Sequence, residues 1–285
     1  MRRIVILAVV AALAVPACTP EIPSPPPKPS PVAFHPTTAP VRWSGFETNG
    51  QSLHLATGEE MVIENARDMV ISRDGHRIAY LDTSGKRYVA LDLRDGRSRH
   101  LTRPLTAAEM DERRPGLRPL AASGDGRFFA AAIYARASTI VTDFETGAVR
   151  TIPKLCVLFG LTSATVIGAR ECGWDGDIVA IDVKGRAKHV GEYLNANHVI
   201  SLSPDGTLLM GCHGLIAFYD AKTGARVRDF PTPGCGEEAQ WLDDRHAIID
   251  STSGFLIVDV TTGALTRARG VPARARTSFG TLPVP

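Results

Sequence analysis

Most signatures of catalysis are missing from this 285-residue chain. It has no GxSxG elbow, no HExxH pair, no phosphate-cradling Gly loop and no CxxC pair. These absences remove the hydrolase domain that some peptidases append to a β-rich body, the commonest zinc sites and nucleotide-loop chemistry. The eight His, at 35, 54, 76, 100, 189, 198, 213 and 246, show no ligand spacing. Lysine is scarce, six against 26 arginines, and the net charge is only +2. That balance gives no field strong enough to argue for nucleic acid or an anionic membrane surface. Aromatics make up 6% of the chain, and no apolar run reaches the ~20 residues of a membrane-spanning helix.

What is present is a repeat. A strand-like run followed by a turn phrase occurs at Leu53–Gly58, Leu91–Gly96, Thr142–Gly147, Ile181–Gly185, Tyr219–Gly224 and Val258–Gly263. The second positions are 54, 92, 143, 182, 220 and 259, so the spacings are 38, 51, 39, 38 and 39. A period near 40 holding only strand signals implies an all-β, six-bladed β-propeller of four-stranded antiparallel blades, with seven blades as the alternative. Within a unit, an Asp opens the third turn and a Gly takes the left-handed position that closes it. The first turn reads Ser123-Gly-Asp-Gly126 and Ser203-Pro-Asp-Gly206, while blades four and six carry Leu161–Ala164 and Leu242–Arg245 instead. Blade one lacks a strand, and Arg276–Leu282 is expected to supply it as the innermost strand that closes the ring. The long spacing of 51 marks an insertion, Arg103–Pro119, with Glu109, Asp111, Glu112, Arg113 and Arg114. These Ser-x-Asp-Gly and Asp-x-x-Thr-Gly phrases resemble the propeller repeats of the TolB and WD40-like group over about residues 41–285. The resemblance implies architecture and says little of activity.

The N-terminus is a second source of information. Arg2 and Arg3 precede an apolar run, Ile4–Val15, in the pattern of a secretory signal peptide. It ends in Val15-Pro16-Ala17-Cys18, which resembles the lipobox of bacterial lipoproteins. The resemblance implies cleavage after residue 17, diacylglycerol on Cys18 and frequent acylation of the new amine, and hence a palmitate-type anchor in the cell membrane. Residues 18–40 then read as a Pro-rich tether, with Pro at 20, 23, 25, 26, 27, 29, 31, 36 and 40. Such density favours a semi-rigid polyproline II spacer. The expected organisation is signal peptide 1–17, tether 18–40 and propeller 41–285, displayed on the extracytoplasmic side.

Four further Cys, at 156, 172, 212 and 235, suit an exported chain and allow three pairings. The repeat register favours Cys156–Cys172 across the first hairpin of blade four and Cys212–Cys235 between blades five and six. In the loop Cys172-Gly-Trp-Asp-Gly-Asp177, Trp174 is a candidate binding platform, and Asp175 and Asp177 are candidate oxygen ligands. The competing reading is a turn whose Trp covers the disulfide. Trp241 is expected to pack between blades, and the four Arg between 267 and 276 to lie on a solvated outer strand. No catalytic residue, metal site or cofactor is expected. The reading is a monomeric, non-enzymatic binding or scaffold module whose partner is an envelope protein or glycan. The alternative is a lyase- or lactonase-type enzyme with its site at the central channel.

Overall fold

The computed structural model describes residues 36–111, 118–170, 172, 176–182, 184–190, 201–212, 215–232, 239–271 and 278–284. They form six four-stranded antiparallel sheets in ring order, a six-bladed β-propeller. Blade one contains β1 (Val41–Glu47), β2 (Gly50–Leu55) and β3 (Glu60–Glu64). Blade two is β4 (Ala66–Ile71), β5 (Arg77–Asp82), β6 (Arg87–Asp92) and β7 (Ser98–His100). Blade three is β8 (Leu120–Ala122), β9 (Phe128–Ile133), β10 (Ser138–Asp143) and β11 (Val149–Pro153). Blade four is β12 (Leu155–Leu161), β13 (Thr165–Arg170), β14 (Ile178–Asp182) and β15 (Ala187–His189). Blade five is β16 (Ser201–Leu202), β17 (Leu208–Cys212), β18 (Leu215–Asp220) and β19 (Arg226–Pro231). Blade six is β20 (Ala239–Trp241), β21 (His246–Ser251), β22 (Gly254–Asp259) and β23 (Leu265–Arg267).

The missing strand of blade one is β24 (Ser278–Phe279), which pairs Trp43 with Phe279 and Ser44 with Ser278 on the inner side of β1. The last strand of the chain therefore closes the ring, as the sequence predicts. Gln240 secures the closure from blade six. Its carboxamide donates to the Phe279 carbonyl and accepts from the Phe279 N–H at 3.0 Å, imitating one rung of a β-ladder.

A blade has neighbours on both sides, so its middle strands are buried on both faces. That explains the unalternating apolar sequence of β9, Phe-Phe-Ala-Ala-Ala-Ile. The core accordingly sits in the seams. Ala79 and Leu81 meet Phe129 and Ala131 between blades two and three. Phe218 and Met210 meet Ala247 and Ile249 between blades five and six, with Phe218 edge-on to Trp241 at 5.7 Å. Trp43, Phe255 and Phe279 fill the closing seam.

The repeated phrase is hairpin chemistry. The Asp carboxylate accepts backbone N–H groups two or three residues on: Arg94 at 3.0 Å for Asp92, Glu145 at 2.9 Å for Asp143, Thr223 at 2.8 Å for Asp220 and Thr261 at 2.8 Å for Asp259. Gly96, Gly147, Gly224 and Gly263, all at φ between 70° and 75°, return their N–H to that Asp's carbonyl. In the first turns of blades two, three and five, Ser72, Ser123 and Ser203 play the matching part, each donating to the Asp two residues on. The two deviant first turns keep an oxygen in the same place. Thr162 Oγ1 accepts the N–H of Thr165 at 3.1 Å, and Asp243 Oδ1 accepts those of Arg245 and His246, both at 2.7 Å.

An arginine on the outer strand ties three seams. Arg99, Arg150 and Arg228 each stand opposite the residue two before the phrase Asp of their own blade. They reach the next blade's third turn, donating to the carbonyls of Phe144 at 2.6 Å, Asp182 at 2.7 Å and Val260 at 2.8 Å. The equivalent residues of blades four, six and one are Lys188, Thr266 and Val62.

Candidate functional site: the loop rim and the axial cavity

Strand direction sorts every connection onto one of two faces. The first and third turns of each blade share the turn face. The second hairpin loops and the links between blades share the opposite rim. Two of those links are single residues, Asn65 and Lys154, both left-handed with φ of 57° and 60°. The link from blade two to blade three is the long insertion.

The described first part of the insertion, residues 103–111, is anchored. Leu105 is 4% exposed and packs with Leu101 in the seam between blades two and three. Thr106 starts the one-turn helix α1 (Ala107–Asp111) with a capping box: its N–H donates to Glu109 at 2.8 Å, and its hydroxyl accepts from the Glu109 N–H at 3.3 Å. The Glu109 carboxylate also takes Arg136 of the blade-three rim loop and Arg103 at 3.3 Å. The hydrogen bond from Arg136 pulls its pKa down to about 2, against the opposing effect of burial. Of the other charged positions of the insertion, Asp111 and Arg118 are described and residues 112–114 lie outside the described residues.

Next along the rim, Cys156 at the start of β12 is disulfide-bonded to Cys172 beyond the end of β13. This is the pairing favoured by the register of the repeat. Cys212, at the end of β17, is also in a disulfide, and Cys235 lies outside the described residues. So do Cys18, Trp174 and Asp175. Asp177 is described: it forms a bridge at the edge of blade four, 3.3 Å from His189 Nε2. It takes no part in the axial cavity.

The inner strands enclose a cavity of about 250 Å³ on the axis. Ser44, Gln51, Asp68, Ser201, Gln240 and Ser278 give it polar wall, and Phe46 stands half-exposed beside it. Towards the turn face the first turns of blades three and five converge. A methyl group placed on Gly124 would lie 3.2 Å from Pro204 Cβ, so the cavity narrows there. Trp241 contributes to the wall but is 5% exposed, with its indole N–H buried and unpaired; its role is packing, as the sequence suggests. Among the described residues no three His, Cys, Asp or Glu side chains gather as a metal site.

Apart from Glu109, the shifted carboxylates lie in the turns. The Arg127 hydrogen bond, aided by backbone N–H groups, holds Asp143 at about 2 against the effect of burial. The Arg245 hydrogen bond holds Asp259 well below the usual carboxylate range. Burial opposes the ionised form of Asp92, and hydrogen bonds from Arg94 and Arg77 overcome it. These are ion pairs inside hairpins, a structural use of perturbed acidity. The sequence held no signal for Gln51 or Ser201, because a single polar residue within a strand does not announce which way it faces.

No family model matches the sequence, and no curated protein matches it. Solved structures do. A chain in the crystal structure of a nidogen/laminin complex superposes with a TM-score of 0.53 at 9% identity, over 80% of this chain and 92% of that one. The dihydro-heme d1 dehydrogenase NirN, in complex with DHE, gives 0.49 at 16% identity, over 84% of this chain and 57% of its own. At such identities the first likeness shows the fold alone, and the chain is a β-propeller.

Proposed function

We propose that this protein is a membrane-tethered, extracytoplasmic propeller that acts as a binding or scaffold module, engaging an envelope protein or glycan through its rim. The observation that carries the reading is the insertion docked by Glu109 onto Arg136 and Arg103 beside the Cys156–Cys172 bridge. A segment fixed by a capping box and two ion pairs, on a face stiffened by a disulfide, is a preorganised contact surface. The Cys18 lipobox and the Pro-rich segment support the tether. Two or more acyl chains hold a protein stably on a membrane, whereas one does not.

Two experiments test the reading. Cys18→Ser is expected to move the protein from the membrane fraction to the soluble one; unchanged fractionation rejects the anchor. Replacing 106–116 with a short Gly-Ser link is expected to leave the ring folded and abolish recovery of the partner from envelope extract. Full recovery with the shortened loop rejects the rim as the contact surface.

A further inference from the structure

On the turn face, the seam between blades three and four holds a pocket of about 200 Å³. The neighbouring seam shows why this one is open. In blade two Arg77 stands opposite Asp92, and its guanidinium crosses to the Gly126 carbonyl of blade three and covers the Phe144 ring at 4.7 Å. In blade three the same register position, opposite Asp143, holds Phe128, which carries no polar group to send across. The first turn that it faces is also shorter. In blade three Ser123 Oγ accepts from the N–H five residues on, whereas in blade four Thr162 Oγ1 accepts from the N–H three residues on. An apolar ring and a clipped turn leave space where the other seam is filled.

The walls are Phe128, Val141 and Val149 of blade three and Val166 and Ile181 of blade four. A cation stands among them. Arg150 lies opposite Val141 on β11 and donates Nη1 to the carbonyl of Asp182, the residue after Ile181, at 2.7 Å. The corresponding Arg99 and Arg228 each reach two carbonyls. Arg150 reaches one, and among the described residues its guanidinium has no carboxylate partner. A fork built to donate to several acceptors therefore serves a single carbonyl. The carboxylate of the wall, Asp143, is taken. Arg127 holds one oxygen at 2.8 Å, and the N–H groups of Glu145 and Thr146 hold the other. That pair cancels, so the pocket carries the charge of Arg150.

We propose that this pocket binds a small apolar monocarboxylate, a branched or aromatic acid the size of a single side chain. The carboxylate takes the fork of Arg150, and the apolar body fills the space between Phe128, Val166 and Ile181. A pocket below the ~300 Å³ at which drug-sized ligands begin holds no more than that. An α-ammonium group is excluded, because Asp143 has no oxygen left to receive it, so free amino acids are refused. The site lies on the face opposite the rim, so it survives excision of 106–116 whether or not the rim reading holds.

The test is ligand-observed NMR and calorimetric titration of the full-length chain with isocaproate, hydrocinnamate, isocaproamide, leucine and a tripeptide ending in leucine. Saturable binding of isocaproate or hydrocinnamate is expected, with the amide and leucine each at least tenfold weaker. Arg150→Gln and Val149→Glu are each expected to weaken binding at least tenfold, while Lys222→Ala, in the third turn of blade five, leaves it unchanged. Val149 is 58% exposed, so its variant reports on binding even where Arg150→Gln loosens the seam. The proposal is overturned by an absence of saturable binding at millimolar acid, by equal binding of the amide or of leucine, or by an affinity that both variants leave intact. Binding of the tripeptide without binding of either free acid assigns the pocket to polypeptide ends and also overturns it.

Discussion

The two faces of the ring are built by opposite rules. On the turn face the same atoms recur: in blades two to six a phrase Asp accepts the backbone N–H groups ahead of it, and a left-handed Gly closes the hairpin. On the rim the described connections differ widely in length and build. Asn65 and Lys154 join blades in a single residue, whereas the link from blade two to three holds a capped helix and a salt-bridged Glu109. Repetition serves a scaffold, because every blade must solve one geometric problem. Variation serves a surface that contacts something particular. The perturbed carboxylates follow the first rule: apart from Glu109, those of Asp92, Asp143 and Asp259 are all locked in turn-face ion pairs.

Breaking the scaffold should cost stability, in proportion to burial. The largest effect is expected at the closing seam. Phe279→Ala removes a side chain 2% exposed, edge-on to Phe255 at 5.1 Å, and is expected to cost about 3–5 kcal/mol by denaturant titration. An unchanged midpoint would show that β24 does not close the ring. Next is Arg77, whose side chain is 10% exposed. It binds Asp92 at 2.9 Å and crosses to the Gly126 carbonyl at 3.1 Å. Arg77→Ala leaves the buried Asp92 carboxylate with Arg94 alone and is expected to cost about 3 kcal/mol. Replacing Cys156 and Cys172 together by Ser opens a loop of 16 residues, with an expected loss near 3 kcal/mol and no loss of secondary structure by circular dichroism.

Acid should weaken the turn face first. The folded-state pKa values of Asp143 and its counterparts are depressed, so their contribution is complete above the ordinary carboxylate value of about 4 and fades as pH falls towards 2. The melting temperature is therefore expected to hold from neutrality to about pH 5 and to drop between about 4 and 2. Arg127→Ala should flatten that drop, and a pH profile identical to wild type would contradict the assignment. Smallest of all is Trp241→Phe. Its indole N–H has no acceptor to lose, so only the volume lost beside Phe218 counts and the change is expected to cost about 1 kcal/mol.

The turn face was legible in the sequence because its chemistry is local. Asp, Thr and Gly at fixed offsets specify a hairpin whatever lies beyond it. The first turns of blades four and six stand out in the sequence as departures from the motif, but not as equivalents of it, because Thr162 and Asp243 supply the oxygen that Ser supplies elsewhere. The rim was legible at 103–119, where length changed, and at Cys156 and Cys172, which the register sets across one hairpin. Elsewhere the period hides variation by exchanging strand for loop: the innermost strands β12 and β4 have seven and six residues, β16 and β20 only two and three. A spacing of 38 or 39 is the same in either case. The axial cavity was invisible, since the Phe46–Gln51 pair of blade one and Ser201 of blade five share one wall only once the ring closes.

The most direct test compares the two faces in one cell envelope. A photo-crosslinking residue is placed at Ala108, exposed on the insertion helix, and separately at Lys222, exposed in a repeated turn. A discrete crosslinked species from position 108, absent from position 222, is the expected result. The same species from both positions, or from 222 alone, would contradict the division of the ring into a scaffold face and a contact face.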